Sequence, residues 1–179
     1  MTQHEYIFIA VSIILGLAIT RLLNIAAMIT RAHSRVIFHW SSALWMCSIM
    51  LYILQLWWIG WGLRVIENWT FLDFIVLMFS SACIYGAAEM ALTAPEKGAV
   101  DMLKDSQELG RLSALSMLLY FLVGPYVNIF MYDNAILPSL VVPFVGIVLM
   151  VLVITSPARF KLWSLLFSIY SLCVLIVTV

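Results

Sequence analysis

Apolar residues in this chain run in long, nearly unbroken stretches rather than in alternation. Six stretches reach the roughly 20 residues that a membrane-crossing helix needs: residues 6–28, 36–62, 69–92, 112–132, 136–154 and 160–179. Lipid offers no hydrogen bonds to the backbone, so segments of this kind close their own bonds as helices. A transmembrane barrel would need a period of two, which these runs lack. The pattern predicts an all-α integral membrane protein, a six-transmembrane-helix bundle forming a single transmembrane domain over residues 1–179.

The breakers fall between the runs. Ala94-Pro95 and Ser156-Pro157 are expected to end the third and fifth helices, and Tyr132-Asp133-Asn134 to make a tight polar turn. Gly124-Pro125 and Pro143 predict kinks, because proline removes a backbone donor and crowds the preceding turn. Only the connector at residues 93–109 has any length. It carries Glu96, Lys97, Asp101, Lys104, Asp105 and Glu108, and its Val100, Leu103 and Leu109 suit either a short surface helix or an early start to the fourth helix.

Composition agrees with immersion in lipid. Hydrophobic residues make up 65% of the chain and charged residues only 10%, against about 25% in a soluble domain. Acids and bases balance at nine each, which suggests neither a nucleic-acid partner nor a strongly acidic ligand. Cys47, Cys83 and Cys173 stand apart inside apolar runs and read as small hydrophobes. The first residues lack the basic segment of a cleavable leader.

The placement of Lys and Arg predicts orientation. Arg31, Arg35, Lys97, Lys104, Arg111, Arg159 and Lys161 fall on one side; Arg64 alone falls on the other, and Arg21 lies within a span. The odd-numbered loops are therefore expected in the cytoplasm, with both termini on the outer side. Trp57, Trp58, Trp61 and Trp69 cluster at the predicted outer interface, and Trp40 and Trp163 lie near the inner one.

Ionisable residues inside a span are functional candidates by default. Arg21 and Glu89 lie at similar depth, and are expected to face each other with Asn24 and Tyr85 in the same network. That group is either a structural clamp, with Arg21 reaching towards the headgroups, or a gate or ion site. On the outer half, Gln55 and Asp73 are expected to hydrogen-bond with Arg64 as counter-charge, as packing glue or as a cation vestibule. Ser12, Gly16 and Thr20 recur every four residues and predict a helix-packing stripe; Gly86, Ala87 and Ala91 form a similar surface on the third helix. The first three helices thus hold the polar candidates, and helices five and six read as nearly all apolar.

His4, His33 and His39 are too scattered for a metal or haem site. No catalytic or phosphate-binding motif occurs, and no cofactor is implied. An enzyme reading survives only as a lipid-modifying site using Glu89 or Glu108 as acid or base.

The segments EYIFIAVSIILGLAITRLL (residues 5–23), HWSSALW (39–45), QLWWIGWGLR (55–64) and WTFLDF (69–74) resemble a family of uncharacterised bacterial membrane proteins. The resemblance covers roughly the first half of the chain. It implies a small multi-pass protein of the bacterial inner membrane and carries no mechanism. Three functions are compatible with these readings. One is a homo-oligomer that forms or gates a pathway. Another is a small-solute transporter, with a midplane cavity near Pro125 and Pro143 lined by Ser113, Ser116, Tyr120 or Asn128. The third is a structural subunit that docks a protein partner through the charged connector.

Overall fold

The computed structural model describes residues 2–93 and 100–178. Among them six helices are long and apolar enough to cross a membrane: α1 (Gln3–Arg31), α2 (Trp40–Gly62), α3 (Phe71–Glu89), α4 (Met102–Tyr126), α5 (Ile136–Thr155) and α6 (Phe160–Thr178). The chain is an all-α bundle of the multi-pass type.

The helices close into a ring. α1 lies against α3, α3 against α4, α4 against α5, α5 against α6, and α6 against α2, which returns to α1 and also touches α3. α1 and α3 run in the same direction, since the rings of His4 and Trp69 meet 5.8 Å apart at their starts and Arg21 meets Glu89 further along. The end of the bundle where they start carries Trp58, Trp61 and Trp69 and is the tryptophan end. The opposite end carries Arg31, Arg35, Lys104, Arg111, Arg159 and Lys161 and is the basic end.

The interior is filled with large rings. Trp45, Phe160 and Phe167 are fully enclosed, with ring centroids 5.5 Å apart for Trp45–Phe160 and 5.0 Å for Trp45–Phe167. Tyr52 stacks on Phe167 at 5.7 Å and meets Phe121 edge-on at 5.3 Å, the offset and edge-to-face arrangements that aromatic quadrupoles favour. Two glycines let these rings approach a neighbouring backbone. A Cβ at Gly146 would stand 2.9 Å from the Phe121 ring, and one at Gly110 the same distance from Phe160. Any larger residue there would push a core ring aside.

Several boundaries differ from those read off hydropathy. α4 starts at Met102, well before residue 112, because Asp101 caps it by accepting from the Leu103 and Lys104 amides at 3.0 and 3.3 Å. Residues 102–109 of the connector are thus the polar first third of α4. Asp105, far from being a free surface charge, accepts from the Thr93 amide at 2.6 Å and from its hydroxyl. α3 ends at Glu89, before Ala94-Pro95; those two residues, with Glu96 and Lys97, lie outside the described residues. Residues 36–37 precede α2 as a two-residue parallel ladder, Val36 and Ile37 pairing with Val100 and Asp101. A small cluster of Ile25, Leu92 and Met102 packs beside it. Pro125 is followed by a π-turn over Val127–Met131, the kind of local unwinding that a missing backbone donor provokes. The polar turn that follows places Asp133 at φ 52°, which Asp tolerates better than most residues.

Candidate functional site

The expected pairing of Arg21 with Glu89 is present. Each side chain stands at the same distance from the start of its helix, so parallel packing of α1 on α3 brings them level. Arg21 Nη2 lies 3.1 Å from Glu89 Oε1, with the side chains 27% and 42% exposed. Arg21 Nε is buried without a hydrogen-bond partner. Glu89 is the last helical residue of α3, whereas Arg21 lies inside α1, which runs on to Arg31. The wider network is a correction. Asn24 is exposed and Tyr85 packs on the apolar core, and neither hydrogen-bonds to the pair among the described residues.

At the tryptophan end the expected trio separates. Asp73 is buried and forms a capping box with Thr70, accepting from its amide at 2.9 Å and its hydroxyl at 2.7 Å. The other carboxylate oxygen accepts from Tyr126 of α4 at 2.9 Å. Arg64 is not the counter-charge: its guanidinium lies 3.8 Å from the centroid of the Trp61 ring. Gln55 is buried in α2 and is not among these donors to Asp73. Three hydrogen bonds satisfy the carboxylate, so an arginine is not needed for that.

Two more contacts finish this end. A helix terminus leaves carbonyls without partners. At the end of α2, His4 Nε2 donates to the Gly60 carbonyl at 2.9 Å, and Tyr132 donates at 2.6 Å to that of Ile59, which also accepts from the Leu63 amide.

The stripe on α1 is a second correction. Its core-facing side is Ile7, Val11, Leu15, Ala18, Leu22 and Ile25. Thr20 is exposed and donates back to the Gly16 carbonyl at 2.8 Å. A Cβ at Gly16 would meet nothing within 4 Å, so the stripe of Ser12, Gly16 and Thr20 packs against no other helix of this chain at its centre. The corresponding surface of α3 does pack: Ala87 and Ala91 are buried, and a Cβ at Gly86 would stand 3.0 Å from Ser116 Oγ.

The largest set of polar residues missed from sequence is a line of hydroxyls inside the ring. Ser41, Ser48 and Tyr52 of α2 and Ser164, Ser168 and Ser171 of α6 are all buried, so α6 is not the apolar helix expected. Ser48 and Ser168 share a hydrogen bond at 2.8 Å. Ser106 donates to Ser42, which donates to the Met102 carbonyl. Trp45 Nε1 donates to Ser113, which donates to the Ala87 carbonyl. The recoverable signal was periodic: Ser41, Trp45, Ser48, Tyr52 and Gln55 fall at helical spacing on one face of α2.

These contacts fill the interior at Ser113, one of the residues expected to line a midplane cavity. Ser113 is fully buried with its hydroxyl engaged, and Phe121 fills the space beside Gly146. Two sizeable cavities open at the two ends instead. One, of about 530 Å³, lies at the tryptophan end between Tyr6, Trp69, Thr70 and Phe74. The other, of about 620 Å³, lies at the basic end. Among the described residues no three His, Cys, Asp or Glu side chains converge as a metal site. No protein-family model, curated protein or solved structure matches the chain.

Proposed function

We propose that this protein works as a homo-oligomer in a bacterial inner membrane, with its basic end in the cytoplasm, and that the pathway it forms or gates lies between copies. The observation that carries this reading is the contrast between a filled interior and an open α1. The described residues fill the interior around Ser113, Phe121 and Phe167, so a route for solute is most readily built by association. The outward face of α1 offers Gly16 with empty space above it, exposed Thr20 and exposed Asn24. Small residues at four-residue spacing permit close helix approach in lipid, and an amide there gains from a partner across the contact. The Arg21–Glu89 pair flanks this face and would border the contact between copies.

The orientation follows from the excess of Lys and Arg at one end. α3, at 19 residues, is about 28 Å long, close to the roughly 30 Å apolar thickness of a bilayer. Glu89 then stands near the cytoplasmic headgroups, where a half-exposed ion pair is tolerable.

Native mass spectrometry of the chain in lipid nanodiscs tests the assembly. A closed oligomer that Gly16→Leu reduces to monomer is the expected outcome, followed by loss of ion flux in liposomes. A monomeric wild-type chain would end this proposal.

A further inference from the structure

We propose that the basic-end groove between α4 and the α5–α6 turn seats the headgroup of an anionic phosphodiester lipid bearing free hydroxyls. Lys104, Gln107, Glu108, Arg111, Pro157 and Ala158 line it, and its volume of about 620 Å³ lies in the range of small-molecule sites. The inference rests on the reading of this chain as membrane-spanning, with this end at a headgroup layer.

Among the described residues neither Lys104 nor Arg111 has a carboxylate within 4.0 Å. Arg111 Nε donates to the Ile154 carbonyl at 3.0 Å. That bond uses one donor, fixes the plane of the guanidinium, and leaves the terminal nitrogens for a phosphate. Lys104 lies two turns away on the same exposed stripe, and the Gln107 amide lies between them.

Below the groove the stripe changes character within one turn. Lys104, Glu108 and Arg111 give way to exposed Leu115, Leu119 and Leu122. A ligand with a charged head and two hydrocarbon chains matches that order of surface, whereas a free anion would use only its upper part.

Glu108 narrows the headgroup. Its carboxylate opposes a phosphate dianion beside it, and accepts hydrogen bonds from hydroxyls. A monoanionic phosphodiester with a glycerol headgroup meets both conditions; phosphatidic acid meets neither fully.

The test titrates the full chain in detergent micelles with phosphatidylglycerol, phosphatidic acid, phosphatidylcholine or inorganic phosphate, reading bound adducts by native mass spectrometry. Phosphatidylglycerol should bind in preference to phosphatidylcholine. Lys104→Gln, which leaves the Arg111–Ile154 bond intact, should weaken it about fivefold, and Lys104→Gln/Arg111→Gln about thirtyfold. Glu108→Gln should narrow the preference over phosphatidic acid. Equal retention of phosphatidylcholine, or of phosphatidylglycerol by the double variant, overturns the proposal. Displacement by millimolar inorganic phosphate makes this a free-phosphate site and overturns the lipid assignment. A chain that stays soluble without detergent refutes the membrane reading as well, whereas one that inserts but ignores phosphatidylglycerol refutes the lipid seat alone.

Discussion

The two flanks of α1 and α3 use one kind of surface in opposite ways. On the α3–α4 side, Ala87 is buried, Gly86 admits Ser116, and two polar side chains of α4 bond to α3: Ser113 to the Ala87 carbonyl and Tyr126 to Asp73. On the outward side of α1, Gly16 faces empty space, and the neighbouring Arg21–Glu89 pair stays half-exposed with Arg21 Nε unpartnered. Small residues at four-residue spacing therefore mark a surface that can be approached closely without saying which helix approaches it. The packed face contributes to the fold of one chain, and the open one is available for association.

Substitutions on the two sides should separate these roles. Ala87→Leu forces a larger side chain into a filled seam and should cost about 3 kcal/mol, read as a fall in unfolding free energy in mixed micelles. Tyr126→Phe removes one donor from a buried carboxylate and should cost about 1.5 kcal/mol by the same measurement. A cycle of Arg21→Ala and Glu89→Ala should give a coupling of only about 0.5–1 kcal/mol, because both side chains are partly exposed and therefore screened. Strictly additive losses would show the pair to be energetically idle. Gly16→Leu should change the stability of the single chain by less than about 0.5 kcal/mol while dispersing the proposed oligomer. A large loss of stability from that substitution would erase the contrast between the two flanks.

The six helices were legible because a spanning segment has one solution, a long apolar helix, and hydropathy reports it directly. The start of α4 was not. Its first turns carry Lys104, Asp105 and Glu108, so a hydropathy reading stops where polarity rises although the backbone goes on, capped by Asp101. Arg21 with Glu89 could be matched from depth alone, since α1 and α3 are parallel. Asp73 could not, because its outside donor comes from Tyr126, distant in sequence and delivered by packing of α4. The hydroxyls on α2 and α6 escaped because serine is small and satisfies itself against its own helix. Of the Ser48–Ser168 pair, one hydroxyl donates across to the other, which donates in turn to a carbonyl of its own helix, Leu44 for Ser48 or Ser164 for Ser168, so neither disturbs an apolar run.

The bond between Ser48 and Ser168 has a consequence for how the chain is made. Its partners lie 120 residues apart, and a ribosome adding about 5–20 residues per second needs on the order of ten seconds to cover that distance. Throughout that interval α2 is already synthesised while its Ser48, Tyr52 and Trp45 face has no α6 to receive it. A nascent chain halted before α6 would present that unfinished face to the translocon and to membrane proteases. Completion of α6 is what turns the growing chain into a closed ring, so premature termination within residues 160–178 should yield products that are degraded rather than accumulated.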